Sequence, residues 1–151
     1  MKAPMKAMTP TSVFACAALS ILAISCSSMK PVKIAQGDQC FRCRRAITDT
    51  HLAAETLGRS GLVSKFKAPG CLATYLAKNP PGDDAIFVTD YTTGKMIAPE
   101  RARYVPIVIN RDTGERDFRA YLDSREADAA ALEYQTTTTN WQAVLDFGRT
   151  Q

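Results

Sequence analysis

A chain of 151 residues with 19 Lys and Arg against 15 Asp and Glu has room for one compact domain or two very small subdomains. Its formal charge of +4 is scattered, with both signs interleaved, so no basic stripe argues for nucleic-acid binding. The sequence also lacks a Gly-rich phosphate loop, a recognisable catalytic triad and a paired carboxylate site, so nothing points to an enzyme.

Lys2 and Lys6 precede an apolar run over residues 13–24, which has signal-peptide length and is short for a bilayer span. The run ends in Leu22-Ala23-Ile24-Ser25-Cys26, which resembles a bacterial lipobox with Ala23 where leucine is commoner. The expectation is an exported protein, cleaved before Cys26 and lipidated there, on the periplasmic side of either membrane. Residues 1–25 would be lost with Cys16, leaving 126 residues; two lysines and no acid depart, so the charge falls from +4 to +2. Residues 26–39 are polar, contain Pro31 and Gly37, and show no helical or strand period. They are predicted to form a flexible tether, its thirteen residues after Cys26 reaching at most roughly 45 Å at about 3.5 Å per residue.

The domain is predicted over residues 40–151. Residues 50–57 and 62–66 form a hairpin around Gly58-Arg59-Ser60-Gly61. A helix follows with Pro69 in its first turn and Leu72, Tyr75 and Leu76 on one face, stopped by Asn79-Pro80-Pro81-Gly82. Residues 85–90 and 95–98 make a second hairpin across Thr92-Thr93-Gly94. Asp90 is expected to shape that turn by bonding backbone N–H groups. After a short turn at 99–103 come strands at 104–110 and 115–121. Asp123, with Glu126 three residues on, starts a helix through Tyr134. Residues 136–139 form a short strand, and 141–147 a last amphipathic helix with Trp141, Val144 and Leu145 inward. The order is that of two ββαβ-like units, and the class is α+β.

Chemistry concentrates in Gln39-Cys40-Phe41-Arg42-Cys43-Arg44-Arg45. A C-x-x-C pair can share a metal ion or close a disulfide, and nearby positive charge favours the thiolate. Cys71 lies in the first turn of its helix, where backbone N–H groups would favour a thiolate. It completes a three-sulfur site or packs as a small hydrophobe. Soft thiolates select Cu(I), zinc or iron–sulfur centres. Two sulfurs would give Cu(I) a low-coordinate, exchangeable site, whereas closed zinc coordination needs further donors from Cys71, His51 or carboxylates. His51, the only histidine, and Met96 are secondary candidate ligands. The metal-free alternative is a C-x-x-C disulfide stapling an interaction lipoprotein; another is a thiol–disulfide redox lipoprotein.

Over most of residues 40–147 the chain resembles the NosL family of membrane-attached copper-binding lipoproteins. The resemblance rests on Cys40-x-x-Cys43, Lys65-Phe66-x-x-x-Gly70-Cys71-Leu72-x-x-Tyr75-Leu76 and Val88-Thr89-Asp90-Tyr91-x-Thr93-Gly94-Lys95. Ala102-x-Tyr104-Val105 and Trp141 follow in the expected order. It implies paired ββαβ units, seen also in part of the organomercurial lyases. It further implies Cu(I) delivery to an extracytoplasmic cuproprotein such as nitrous oxide reductase, or exchange with a copper transporter. Arg44-Arg45 stands where many relatives carry methionine, and Asn110-Arg111-Asp112-Thr113-Gly114 replaces their Pro-Met-Gly segment. A copper site here would therefore be built without that methionine.

Overall fold

The computed structural model describes residues 29–151. The signal segment, Cys16 and the candidate lipidation residue Cys26 lie outside the described residues. Among the described residues no helix is long and apolar enough to cross a membrane.

Four short strands, β1 (Ala54–Leu57), β2 (Val63–Phe66), β3 (Ala85–Thr89) and β4 (Met96–Ile97), form one antiparallel sheet in the order β2-β1-β3-β4. Its register sets Ala54 between Phe66 and Val88, so these three share a face. That face packs against α1 (Pro69–Leu76), and Phe66, Leu72 and Val88 are fully buried. Alternation along β1 sends Glu55 to the opposite face. A 3-10 turn at Pro99–Arg101 leads into β5 (Arg103–Asn110), which pairs with β6 (Glu115–Tyr121) as a separate antiparallel ribbon.

Two helices complete the ribbon unit. Helix α2 (Ser124–Glu133) buries Ala127, Ala130 and Ala131, and Asp123 caps it by accepting the Arg125 N–H at 2.7 Å. Helix α3 (Trp141–Arg149), capped by Asn140, crosses α1 at close range. A methyl group on Gly148 would stand 2.4 Å from the carbonyl carbon of Ala73, so only glycine admits this crossing. Trp141 and Val144 from α3 join Tyr104 and Leu72 in the main core.

The α+β class and the first ββαβ unit are as the sequence predicts. In the second unit the strand expected over 136–139 is reduced to one bridge, Tyr104 with Thr139. Tyr104 is held there through both backbone bonds, at 2.9 and 2.8 Å, and the run of threonines has no second partner strand to extend along. The two units are stitched by Asp90: one carboxylate oxygen accepts the Leu122 N–H at 2.9 Å, and the other accepts the Thr93 N–H at 3.2 Å. The residue expected to shape its own hairpin also joins that hairpin to the end of β6.

The tether is shorter than its composition implies. Val32 donates its N–H to Glu55 Oε1 at 2.8 Å, Ile34 is buried with Ile47 and Ala53, and Asp38 pairs with Lys65 at 2.6 Å. Two isoleucines and an alanine, too sparse to show a period, suffice to dock the stretch through Ile34, while most of residues 32–39 stay at the surface. Glu55 is itself fully buried and its Oε2 has no partner; burial pushes its carboxyl up from the usual range.

Candidate metal centre

The C-x-x-C segment is a tight loop. A bridge between Gln39 and Ala46 closes it, with Cys40 N donating to Arg45 O at 2.9 Å and Arg44 N to Cys40 O at 2.9 Å. Arg44 takes a left-handed conformation, φ 61°, to complete the reversal. Phe41 N donates to Lys65 O at 2.7 Å, so the loop is tied to the end of β2. Five residues beyond β2, the β2–α1 connection delivers Cys71 into α1.

The result is a triangle of sulfurs. The Sγ atoms of Cys40, Cys43 and Cys71 all lie within 4.8 Å of one another, with Cys40 and Cys71 3.4 Å apart. Three sulfurs at about 2.3 Å from a common ion would be roughly 4 Å apart in a trigonal plane, so this triangle needs little adjustment to close on one. Cys40 is fully buried and Cys71 nearly so, while Cys43 is half-buried. All three are free thiols.

Charge is divided unequally among them. The Cys71 S–H donates to Cys40, and the backbone N–H groups of Cys43 and Lys67 also point at the Cys40 sulfur; together these hold its thiol well below the usual range. Cys71 is pushed up, first by that hydrogen bond and then by burial. At Cys71 the hydrogen bond and burial oppose the thiolate that the helix start would favour. The positive end of α1 is already occupied: Asp117 in β6 accepts the Gly70 N–H at 2.6 Å. Of the two close sulfurs, Cys40 is the one whose thiolate is favoured, and Cys71 the one whose thiol is.

Asp117 is a site residue that the sequence reading missed. Ala68, the residue before α1, has no side-chain oxygen, so α1 lacks a cap of its own. Asp117 supplies one from 47 residues away and also accepts the Phe118 N–H at 2.8 Å. Burial raises its carboxyl to about 6 despite those bonds. Only the missing cap hinted at such a partner.

The basic residues have distinct duties. Arg42 Nη1 lies 3.9 Å from Cys71 Sγ, where a guanidinium offsets thiolate charge. Arg45 forms a two-pronged pair with Glu115 at 2.9 and 2.8 Å, and Glu115 also binds Lys67 at 2.5 Å. These pairs hold the Glu115 carboxyl below its usual range and pin the loop to β6. Arg44 lies over the half-exposed Phe41 ring, 5.6 Å from its centre. A polar cavity of about 310 Å³ opens beside Cys71, lined by Arg42, Lys67, Arg116 and Asp117 among others.

Of the secondary ligand candidates, His51 is not part of the triangle, and Met96 packs with Ile34, Ile47 and Ala53. Both candidates line a different cavity, beside the β3–β4 turn. Among the described residues no histidine or carboxylate joins the three sulfurs, so the donor set is all-thiol and three-fold. Such a set suits a soft, low-coordinate ion, and it lacks the fourth donor of a closed zinc site.

Fold and site together define an α+β domain with a NosL-like fold that presents a largely buried cluster of three cysteines. The crystal structure of the copper chaperone NosL from Shewanella denitrificans superimposes with a TM-score of 0.61, covering 75% of this chain and 93% of that one at 15% identity. At that identity the likeness is one of fold. No family model and no curated protein sequence matches the chain.

Proposed function

We propose that this chain is an exported, lipid-anchored Cu(I) carrier that binds the ion through Cys40, Cys43 and Cys71 and passes it to an extracytoplasmic recipient. The sulfur triangle carries the reading: three thiols from two segments of chain converge within 4.8 Å around a space fit for one soft ion. The likeness to a copper chaperone supports it from an independent direction. Cu(I) is cargo, so its site must release it as well as hold it. Half-buried Cys43 is the sulfur an incoming recipient ligand reaches first, and loss of that one bond leaves the ion on two buried sulfurs, open to a new donor. Lipid on Cys26 holds the domain at the periplasmic face of a membrane. Recipients of the fitting class are cuproproteins such as nitrous oxide reductase, or a copper transporter in the same membrane.

An anaerobic Cu(I) titration of the reduced full chain against a chromogenic chelator, beside Cys40→Ser/Cys43→Ser, tests this. One tightly held equivalent that the variant lacks is the expected result. Failure of the reduced wild type to compete for copper would sink the carrier reading. A redox role has one observation in its favour, the 3.4 Å approach of an acidic Cys40 to Cys71. Repeated turnover of a test disulfide would establish that role instead.

A further inference from the structure

Two donors that the cysteine cluster leaves out line one cavity elsewhere in the fold. His51 and Met96 line a small cavity of about 180 Å³ that shares no lining residue with the one beside Cys71. We propose that they form a second, weaker site for a soft monovalent metal ion, coordinated by His51 Nε2 and Met96 Sδ. The assignment does not depend on the cysteine site.

The histidine is set up for it. His51 Nδ1 lies 2.6 Å from the Tyr91 carbonyl oxygen. A carbonyl only accepts, so Nδ1 carries the proton and the neutral ring keeps its lone pair on Nε2. A backbone carbonyl fixing the far nitrogen is the usual way a metal-binding imidazole is oriented. The ring rests on Gly94: a Cβ there would lie 3.1, 3.3 and 3.7 Å from Nε2, Cε1 and Cδ2. Near-equal distances to three ring atoms mean that the glycine lies against the flat of the imidazole. The in-plane lone pair of Nε2 therefore runs alongside Gly94 and not into it.

The sulfur is equally free. Met96 Sδ lies 3.5 Å from Thr89 Oγ1, but that hydroxyl has one proton and sits 2.7 Å from the Ala53 carbonyl oxygen. The carbonyl is the stronger acceptor and takes it, leaving the thioether lone pairs open. Ile34, Ile47 and Ala53 back the Met96 side chain, and its flexible stem lets the sulfur close on an ion. A thioether selects Cu(I) or Ag(I), and no carboxylate lines the cavity while Lys33 does. A neutral N,S pair beside a lysine suits one positive charge far better than two.

Ag(I) is the probe, since it mimics Cu(I) and is silent in NMR relaxation. The full chain is titrated with Ag(I) past the point where thiolate-to-metal absorption stops growing, while the ring signals of its single histidine are followed. A saturable shift of the His51 resonances, lost in the volume-conserving Met96→Leu variant, is the expected result. No shift, or the same shift in Met96→Leu, overturns the site. Failure of the cysteine reading would appear separately, as absent thiolate absorption, whatever the histidine does.

Discussion

Cys40 meets Cys71, thirty-one residues away, at 3.4 Å between sulfurs, within hydrogen-bonding distance. Mild oxidation is therefore expected to link Cys40 to Cys71, leaving Cys43 free. Peptide mapping of the oxidised chain reads the linkage directly, and a Cys40–Cys43 product would contradict it. The oxidised form retains one thiol of three and should lose stoichiometric Cu(I) binding.

The proton favoured on Cys71 makes loading pH-dependent. Cys71 is held protonated by Cys40 and by burial, so binding as a thiolate expels its proton. Affinity should rise by about tenfold per pH unit for each proton released. Chelator competition at pH 6, 7 and 8 measures the slope. Cys71→Ser should flatten it as well as weaken binding.

Asp117 gives the fold its own pH dependence. Its carboxyl is raised from 3.8 to about 6 by burial. A raised group contributes stability that is full below the unfolded value and is lost as pH climbs through the folded one. The loss between pH 4 and 6 is on the order of 3 kcal/mol at about 1.4 kcal/mol per unit. Asp117→Asn keeps an oxygen for the Gly70 N–H and never ionises. Urea unfolding at pH 4.5 and 7.5 should show a smaller difference for the variant, with its gain at the higher pH.

Gly148→Ala tests the α1–α3 crossing. The new methyl meets backbone atoms of Ala73 and Thr74 at 2.4 to 2.7 Å, and no side chain can swing away. A cost of about 2–3 kcal/mol is expected from overpacking, read as a lower urea midpoint. Because α1 carries Cys71, the surviving folded fraction should also bind Cu(I) less tightly.

Local signals made most of the fold legible. Pro69, the Asn79-Pro80-Pro81-Gly82 stop, Gly94 and the Asp123 cap each act within a few residues, and the elements they bound are where those signals put them. The three sulfurs were also legible as candidates, because a C-x-x-C pair and a cysteine at a helix start are recognisable soft donors. What sequence could not carry was anything set by a distant partner. The Asp117 cap, the hydrogen bond across the Cys40–Cys71 pair and the separation of His51 and Met96 from the cysteines all depend on which strand or helix lies alongside. The packing of residues 32–39 was hidden for the same reason: their docking surface is Glu55, Lys65 and Ile47, none of them neighbours in the chain.

The hydrogen bond from Val32 to buried Glu55 fixes where the domain's leash begins. With lipid on Cys26, five residues, 27–31, remain to span the gap, a reach of at most roughly 18 Å at about 3.5 Å each. If Cys26 is lipidated as proposed, a molecule on so short a lead would explore a disc along the bilayer and hardly any of the volume above it. Its encounters would then be governed by lateral diffusion, and a recipient would have to bring its own metal port down to the level of the lipid headgroups to be served.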